Sequence, residues 1–251
     1  MVTRQEIVRA ENLVKVYDNG VTALKGIDVS IYSGEMVGVL GASGSGKTTF
    51  FRLMNGFITP TGGNLYVMGQ VMRGLSHQAL RKLRSGIAMV SQHHNIIPGL
   101  SVARNVIMGK LGQMSFCQAL RLLFYLSEKE IKEVWRVLEQ LELAEKIFDR
   151  ATDLSGGQQQ RVAIARVLLG NARLILADEP IASVDSRTAE NILNIFTRLN
   201  REQNITVVTN LHQEDFALHY CSRVLVLDKG RLIFNGPPDE WISQRGCACV
   251  R

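Results

Sequence analysis

Hydrophobic positions along the chain fall into three regimes. Near the N-terminus, strand-like segments at 8–16 and 24–31 are separated by Asp18-Asn19-Gly20 and followed by Ser33-Gly34, which predicts two strands and a turn. Residues 36–40, MVGVL, are wholly apolar, as a strand covered on both faces should be. A glycine-rich loop comes next, and 48–55 predicts a helix. From 93 to 170 the pattern turns helical. There Ser127-Glu128-Lys129-Glu130 spells a capping box, with Ile131, Val134, Trp135, Leu138 and Leu141 recurring behind it at helical spacing. Beyond it, apolar strands at 174–177, 205–208 and 224–227 alternate with helical stretches such as 188–201. Strands alternating with helices predict an α/β fold, a mainly parallel sheet with helices packed on it. The expected organisation is a core formed by 1–92 and 171–251, with a helical lobe at 93–170 inserted in it.

Composition narrows the class. A chain of 251 residues, 46% hydrophobic and 21% charged, is globular rather than disordered. The net charge of +6 suits a polyphosphate ligand or a membrane face, and the cations read as scattered, so nucleic acid is not expected as a partner. Cys117, Cys221, Cys247 and Cys249 are too few and too uneven for a disulfide scaffold, and the last two read as a frayed tail. No run approaches the ~20 apolar residues of a spanning helix. The longest candidate, 116–126, is interrupted by Gln118 and Arg121 and is expected to pack as lobe core, with a partner contact as the alternative. With no signal peptide read at the N-terminus, the expectation is a reduced, intracellular chain.

The chemistry concentrates in three motifs. Residues 41–48, GASGSGKT, fit the phosphate loop GxxxxGK[ST]. Its glycines let successive backbone N–H groups face phosphate oxygens, Lys47 adds a point charge, and the Thr48 hydroxyl can ligate Mg²⁺. Residues 174–179, LILADE, are an apolar strand ending in two carboxylates. Asp178 then lies where open α/β sheets bind ligands and can hold Mg²⁺, while Glu179 can polarise a water for in-line attack. At 154–158, LSGGQ combines a capping box with two glycines at a helix start, an anion site. Its sequence distance from the phosphate loop argues against both reaching one nucleotide within one chain.

In this order and spacing, the motifs resemble the ATP-binding subunits of ATP-binding cassette (ABC) transporters over essentially 7–242. The resemblance implies a P-loop NTPase core with an added antiparallel β part, and ATP with Mg²⁺ as cofactors. ATP would be held by Gly41, Ala42, Ser43, Gly44, Ser45, Gly46, Lys47, Thr48 and Thr49, with Tyr17 stacked on adenine. Thr48, Gln92 and Asp178 would serve the metal; Glu179 and the switch histidine His212 would be catalytic. Ser155, Gly156, Gly157 and Gln158 would act on the ATP of a second copy, because two cassettes pack head to tail, with Asp185 at the dimer seam.

The same resemblance implies permease subunits docked near Gln92 on 95–106, an extracytoplasmic substrate-binding protein, and a peripheral place on the cytoplasmic face of the inner membrane. Asn210-Leu211-His212-Gln213, the long segment 109–126 and Gly236-Pro237-Pro238-Asp239-Glu240 are similar to the phosphonate importer branch. Phosphite suits the same chemistry. The alternatives are an ATPase for export or lipid extraction, and a soluble non-transport cassette protein.

Overall fold

The computed structural model describes residues 5–91, 96–182, 184–211 and 213–248, with Ser91 and 245–248 described by backbone alone. The chain opens with β1 (Glu6–Val16), β2 (Thr22–Tyr32), β3 (Met36–Leu40) and α1 (Lys47–Met54). β4 (Gly62–Val67), β5 (Gln70–Val71), α2 (His77–Arg84) and β6 (Ile87–Ser91) follow. The helical stretch holds α3 (Val102–Ile107), α4 (Phe116–Phe124), α5 (Glu128–Glu139) and α6 (Gly156–Leu169). β7 (Leu174–Asp178), α7 (Ser186–Gln203), β8 (Thr206–Asn210) and α8 (Glu214–Tyr220) return to alternation, and β9 (Arg223–Asp228), β10 (Arg231–Gly236) and α9 (Pro238–Ala248) complete it.

Two sheets result. The larger has strand order β10-β9-β3-β8-β7-β6, parallel throughout except for the β10 edge. The smaller, β2-β1-β4-β5, is antiparallel. The period of two along each strand sorts side chains to opposite faces of the parallel sheet. Val37, Val39, Leu174, Leu176 and Val208 join α1 and the antiparallel sheet in one core. Met36, Leu40, Ile175, Ala177 and Val207 join α3, α5, α6 and α7 in another. Both faces being covered is why these strands are apolar without alternation.

α5 starts at the expected capping box: the Ser127 hydroxyl accepts from Glu130 N while Glu130 Oε2 accepts from Ser127 N. Val134, Leu138 and Leu141 are buried, but Trp135 faces outward. At 100° per residue, Val134 lies on the core side with Leu138, and Trp135 falls at the solvent edge of the apolar face. Segment 116–126 is likewise not lobe core. Leu122 of α4 is buried, whereas Phe116, Leu120, Leu123, Phe124 and Tyr125 are exposed.

Cys221 packs under β3, its sulfur facing Gly38 where a Cβ would come to 3.1 Å. Burial pushes its thiol pKa up to about 12, and Cys117 is exposed. At pH 8, therefore, a maleimide should label Cys117 while leaving Cys221 unmodified until the protein is denatured. Peptide mass mapping checks this, and labelling of Cys221 in the native protein would contradict the burial.

Candidate functional site

The phosphate loop leaves β3 and enters α1, as its apolar-strand context implied. Two of its glycines are obligatory. Gly41 sits at φ 142°, where a Cβ would lie 2.2 Å from Leu227 O, and Gly46 at φ 109°, with Ala23 O at 2.7 Å. Gly46 is the N-cap of α1 and supplies no side-chain cap, so the first-turn N–H groups are left to a ligand. Lys47 is buried, and its Nζ donates to Gly41 O at 2.6 Å and Ala42 O at 3.0 Å. Burial pulls its pKa below the ordinary lysine range, while the charges of Glu179 and Asp178 oppose the shift.

A cleft of about 410 Å³ opens over this loop, lined among others by Tyr17, Ser43, Gly44, Thr48, Thr49 and Glu179. The Tyr17 hydroxyl lies 3.2 Å from Thr49 Oγ1, and Lys15 Nζ lies 5.5 Å from the Tyr17 ring centroid. Lys25 and Lys229 also line the cleft. Sequence reasoning missed both, since β2 and the β9–β10 turn reach the loop only through the fold. Lys25 N donates to Gly230 O at 2.8 Å and Gly230 N to Ser45 O at 3.0 Å, which hold that turn against the loop.

β7 delivers the acidic pair. Asp178 Oδ1 accepts from Asn210 Nδ2 at 2.8 Å, fixed by the direct pairing of the two residues across β7 and β8. Asn210 is fully buried and its Oδ1 has no hydrogen-bond partner among the described residues. Glu179 follows at φ 55°, a left-handed conformation costing a non-glycine residue of order 1–3 kcal/mol. Gln160 Nε2 from α6 donates to Pro180 O at 2.6 Å, tying the next residue to the signature helix. That link was missed too, although the polar residue in an apolar helix face was its signal.

The Ser155-x-x-Gln158 box caps α6, with Gln158 Oε1 accepting from Ser155 N at 2.9 Å and the Ser155 hydroxyl from Gln158 N at 3.4 Å. Ser155 and Gly156 are exposed. A Cβ on Gly156 would meet nothing within 4 Å, and one on Gly157 only Val184. None of 154–158 lines the cleft over the phosphate loop. Asp185 caps α7, accepting from Thr188 N at 3.0 Å and Thr188 Oγ1 at 2.7 Å, and these bonds hold its pKa below the usual carboxylate range. Gln92, His212 and Ser183 lie outside the described residues.

Within the expected dock on 95–106, residues 97–99 are exposed but the helical part is not. Val102, Ala103, Asn105 and Val106 are buried. Asn105 instead works inside the lobe: its Oδ1 accepts from Ile97 N at 2.8 Å and Arg166 Nη2 at 2.9 Å, and Arg166 Nε donates to Asn105 O at 3.0 Å. Beside this knot lies a second cleft of about 400 Å³ between α2 and the end of α6, lined by Leu80, Arg81, Arg84, Met89, Met108 and Arg166 among others. No Asp or Glu is among the described residues lining it.

The cations are scattered as expected, but the acids are not. Between Glu35 and Glu128 the sequence holds nine Lys or Arg and no acid at all. The run is visible in the sequence once acids are looked for rather than bases.

A phosphate-loop motif between a buried strand and a helix, a carboxylate pair ending a parallel strand of the same sheet, and an outward-facing capped SGGQ helix start together mark a nucleotide-hydrolysing cassette. The family pattern described as ABC transporter matches residues 24–182, and the chain belongs to that family. It is the ATP-hydrolysing part of a transport system. It is 43% identical to the phosphonates import ATP-binding protein PhnC of Bdellovibrio bacteriovorus, over 96% of this chain and 92% of that one. It is 42% identical to phosphonates import ATP-binding protein PhnC 2 of Halalkalibacterium halodurans, over 93% of this chain and 95% of that one. Among solved structures, a dimeric ATP-binding cassette in a post-hydrolysis state bound to ADP and Pi matches with a TM-score of 0.83 at 33% identity, covering 92% of this chain and 98% of that one.

Proposed function

We propose that this chain powers import of a small phosphorus oxyanion of the phosphonate class through separate membrane subunits. The observation that carries the substrate class is near end-to-end similarity to proteins named for phosphonate import, at 43% and 42% identity. A phosphite-sized anion suits the same reading.

ATP binds with its phosphates on residues 41–48 and its adenine against Tyr17, reached by the charges of Lys47, Lys25 and Lys229 around the cleft. The donor set fits Mg²⁺: a hydroxyl at Thr48 and a carboxylate at Asp178, with one carboxylate oxygen already oriented by Asn210. When bound, Mg²⁺ neutralises charge developing on the phosphates. Glu179 takes a proton from the attacking water, and His212 and Gln92 complete the site. Ser155, Gly156, Gly157 and Gln158 close on the ATP of a second copy, with Asp185 at the seam. The exposure of Ser155 and Gly156, and the absence of all four from the phosphate cleft of their own chain, support this head-to-tail arrangement.

The permease seats in the acid-free cleft between α2 and α6, where Arg84, Arg166, Met89 and Met108 suit an apolar segment carrying an acidic residue. In this reading the chain sits peripherally on the cytoplasmic face of the inner membrane, in a system that includes an extracytoplasmic substrate-binding protein.

The test is ATPase activity of the chain co-assembled with its permease in lipid, with binding protein loaded with methylphosphonate or phosphite. Stimulation by either anion, lost in Glu179→Gln, is the expected outcome. Activity dependent on Glu179 but indifferent to both anions would overturn the substrate class and favour an export system.

A further inference from the structure

α4 is ordered by its neighbours yet turns its apolar side away from them. Phe116 and Phe124 are 76% and 78% exposed and Tyr125 60%, with Leu120 and Leu123 also exposed. Positions 116, 120, 123 and 124 fall on one helical stripe. The stripe is not the by-product of a frayed end. Ser115 and Gln118 form a capping box, and Arg121 pairs with Glu130. Arg81 Nη2 from α2 donates to Met114 O at 3.2 Å just before the helix, and Arg104 Nη2 donates to Phe124 O at 3.3 Å at its end. Contiguous exposed aromatic and aliphatic surface on a rigid element marks a contact site.

Charge decides what covers it. The helix lies wholly within the acid-free stretch between Glu35 and Glu128. Arg81, Lys82 and Arg104 have no ion-pair partner among the described residues, their guanidinium and ammonium groups being met by backbone carbonyls or solvent. Phenylalanine, leucine and tyrosine on an outward stripe, flanked by unpaired cations, is the chemistry of an element lying in the interface of an anionic bilayer. The α2–α6 cleft is concave and takes an inserted segment, whereas the α4 stripe stands outward and fits a plane.

We infer that α4 is a contact for anionic lipid, with Phe116, Leu120, Leu123 and Phe124 entering the boundary of the acyl region and Arg81, Lys82 and Arg104 over the phosphodiester headgroups. The contact orients the cassette against the membrane from its own side, in addition to the hold of the permease. It is independent of which anion is transported.

The purified chain is floated with protein-free vesicles of phosphatidylcholine alone and of phosphatidylcholine with roughly 30% phosphatidylglycerol, where each cation near the surface is worth about fivefold. Recovery should rise several-fold with the anionic lipid and fall in about 0.5 M salt. Phe116→Asn with Phe124→Asn should drop recovery to the neutral-lipid background with ATPase activity unchanged, since both side chains are exposed and remote from the phosphate cleft. Arg81→Gln with Arg104→Gln should abolish the preference for anionic lipid. Equal recovery on the two vesicle types, or flotation of the double phenylalanine variant like the unmodified chain, would overturn the inference. Flotation seen only when the permease is in the vesicle, and lost in the phenylalanine variant, would assign the stripe to the permease and equally overturn it.

Discussion

Glu179→Gln should bind ATP with near-normal affinity, lose about 10²–10⁴-fold in turnover, and accumulate as a nucleotide-bound dimer. The side chain enters the phosphate cleft from the end of β7, next to the Asp178–Asn210 bond. Its backbone is held in a left-handed conformation by a segment that Gln160 anchors through Pro180 O. Glutamine preserves the volume and the hydrogen-bonding reach of the carboxylate, so the loop keeps its shape, but the amide cannot accept the proton of an attacking water. Binding and catalysis therefore separate. The check combines single-turnover hydrolysis, fluorescent-nucleotide affinity and sedimentation with and without ATP. Turnover within a few-fold of the unmodified chain would remove Glu179 from the role of proton acceptor.

Ser155→Arg should leave monomer ATP affinity largely intact and lower dimer-dependent hydrolysis by at least about 10²-fold, the scale expected for losing a preorganised anion-binding group. Ser155 is exposed at the N-cap of α6 and lines no part of the phosphate cleft in its own chain. An arginine there fills the space over Gly156, where nothing lies within 4 Å, and blocks whatever phosphate approaches from a partner. Loss of the cap costs α6 about 1 kcal/mol, which a helix packed on α3 and α5 tolerates. Mixing this variant with Lys47→Ala is the sharper experiment. Head-to-tail pairing predicts that the mixed dimer keeps one intact composite site and recovers activity that neither variant shows alone. If Ser155→Arg weakens ATP binding by the monomer, the signature acts within its own chain.

The sequence by itself determined what depends on near neighbours. Glycine at 41 and 46, an apolar run before them and a helix after spell a phosphate-loop motif, since positive φ values and free N–H groups at a helix start are local properties. The capping boxes at Ser127 and Ser155 were legible for the same reason, their partners lying three residues away. So were β3, β7, β8 and β9, because burial on both faces leaves its mark along the strand; β6, half-buried at Ala88 and Met89, was not. α2 was not read: it is eight residues long, and its pattern is confined to Leu80 and Leu83 behind the Ser76 cap.

Everything that joins distant segments was decided by the tertiary structure. Lys25 and Lys229 enter the phosphate cleft because β2 and the β9–β10 turn converge on it, and no spacing in the chain announces that. Asn105 fell within the segment 95–106 expected to be a docking surface; burial against Arg166 and the turn at Ile97 makes it the polar centre of the lobe. The apolar run at 116–126 was the same ambiguity in reverse, a stretch whose hydrophobicity predicts a contact but cannot say with what. Hydrophobicity and glycine spacing report what a residue needs from its immediate surroundings. Which surface meets which is set by the sum of long-range packing, and that sum exists only in the folded chain.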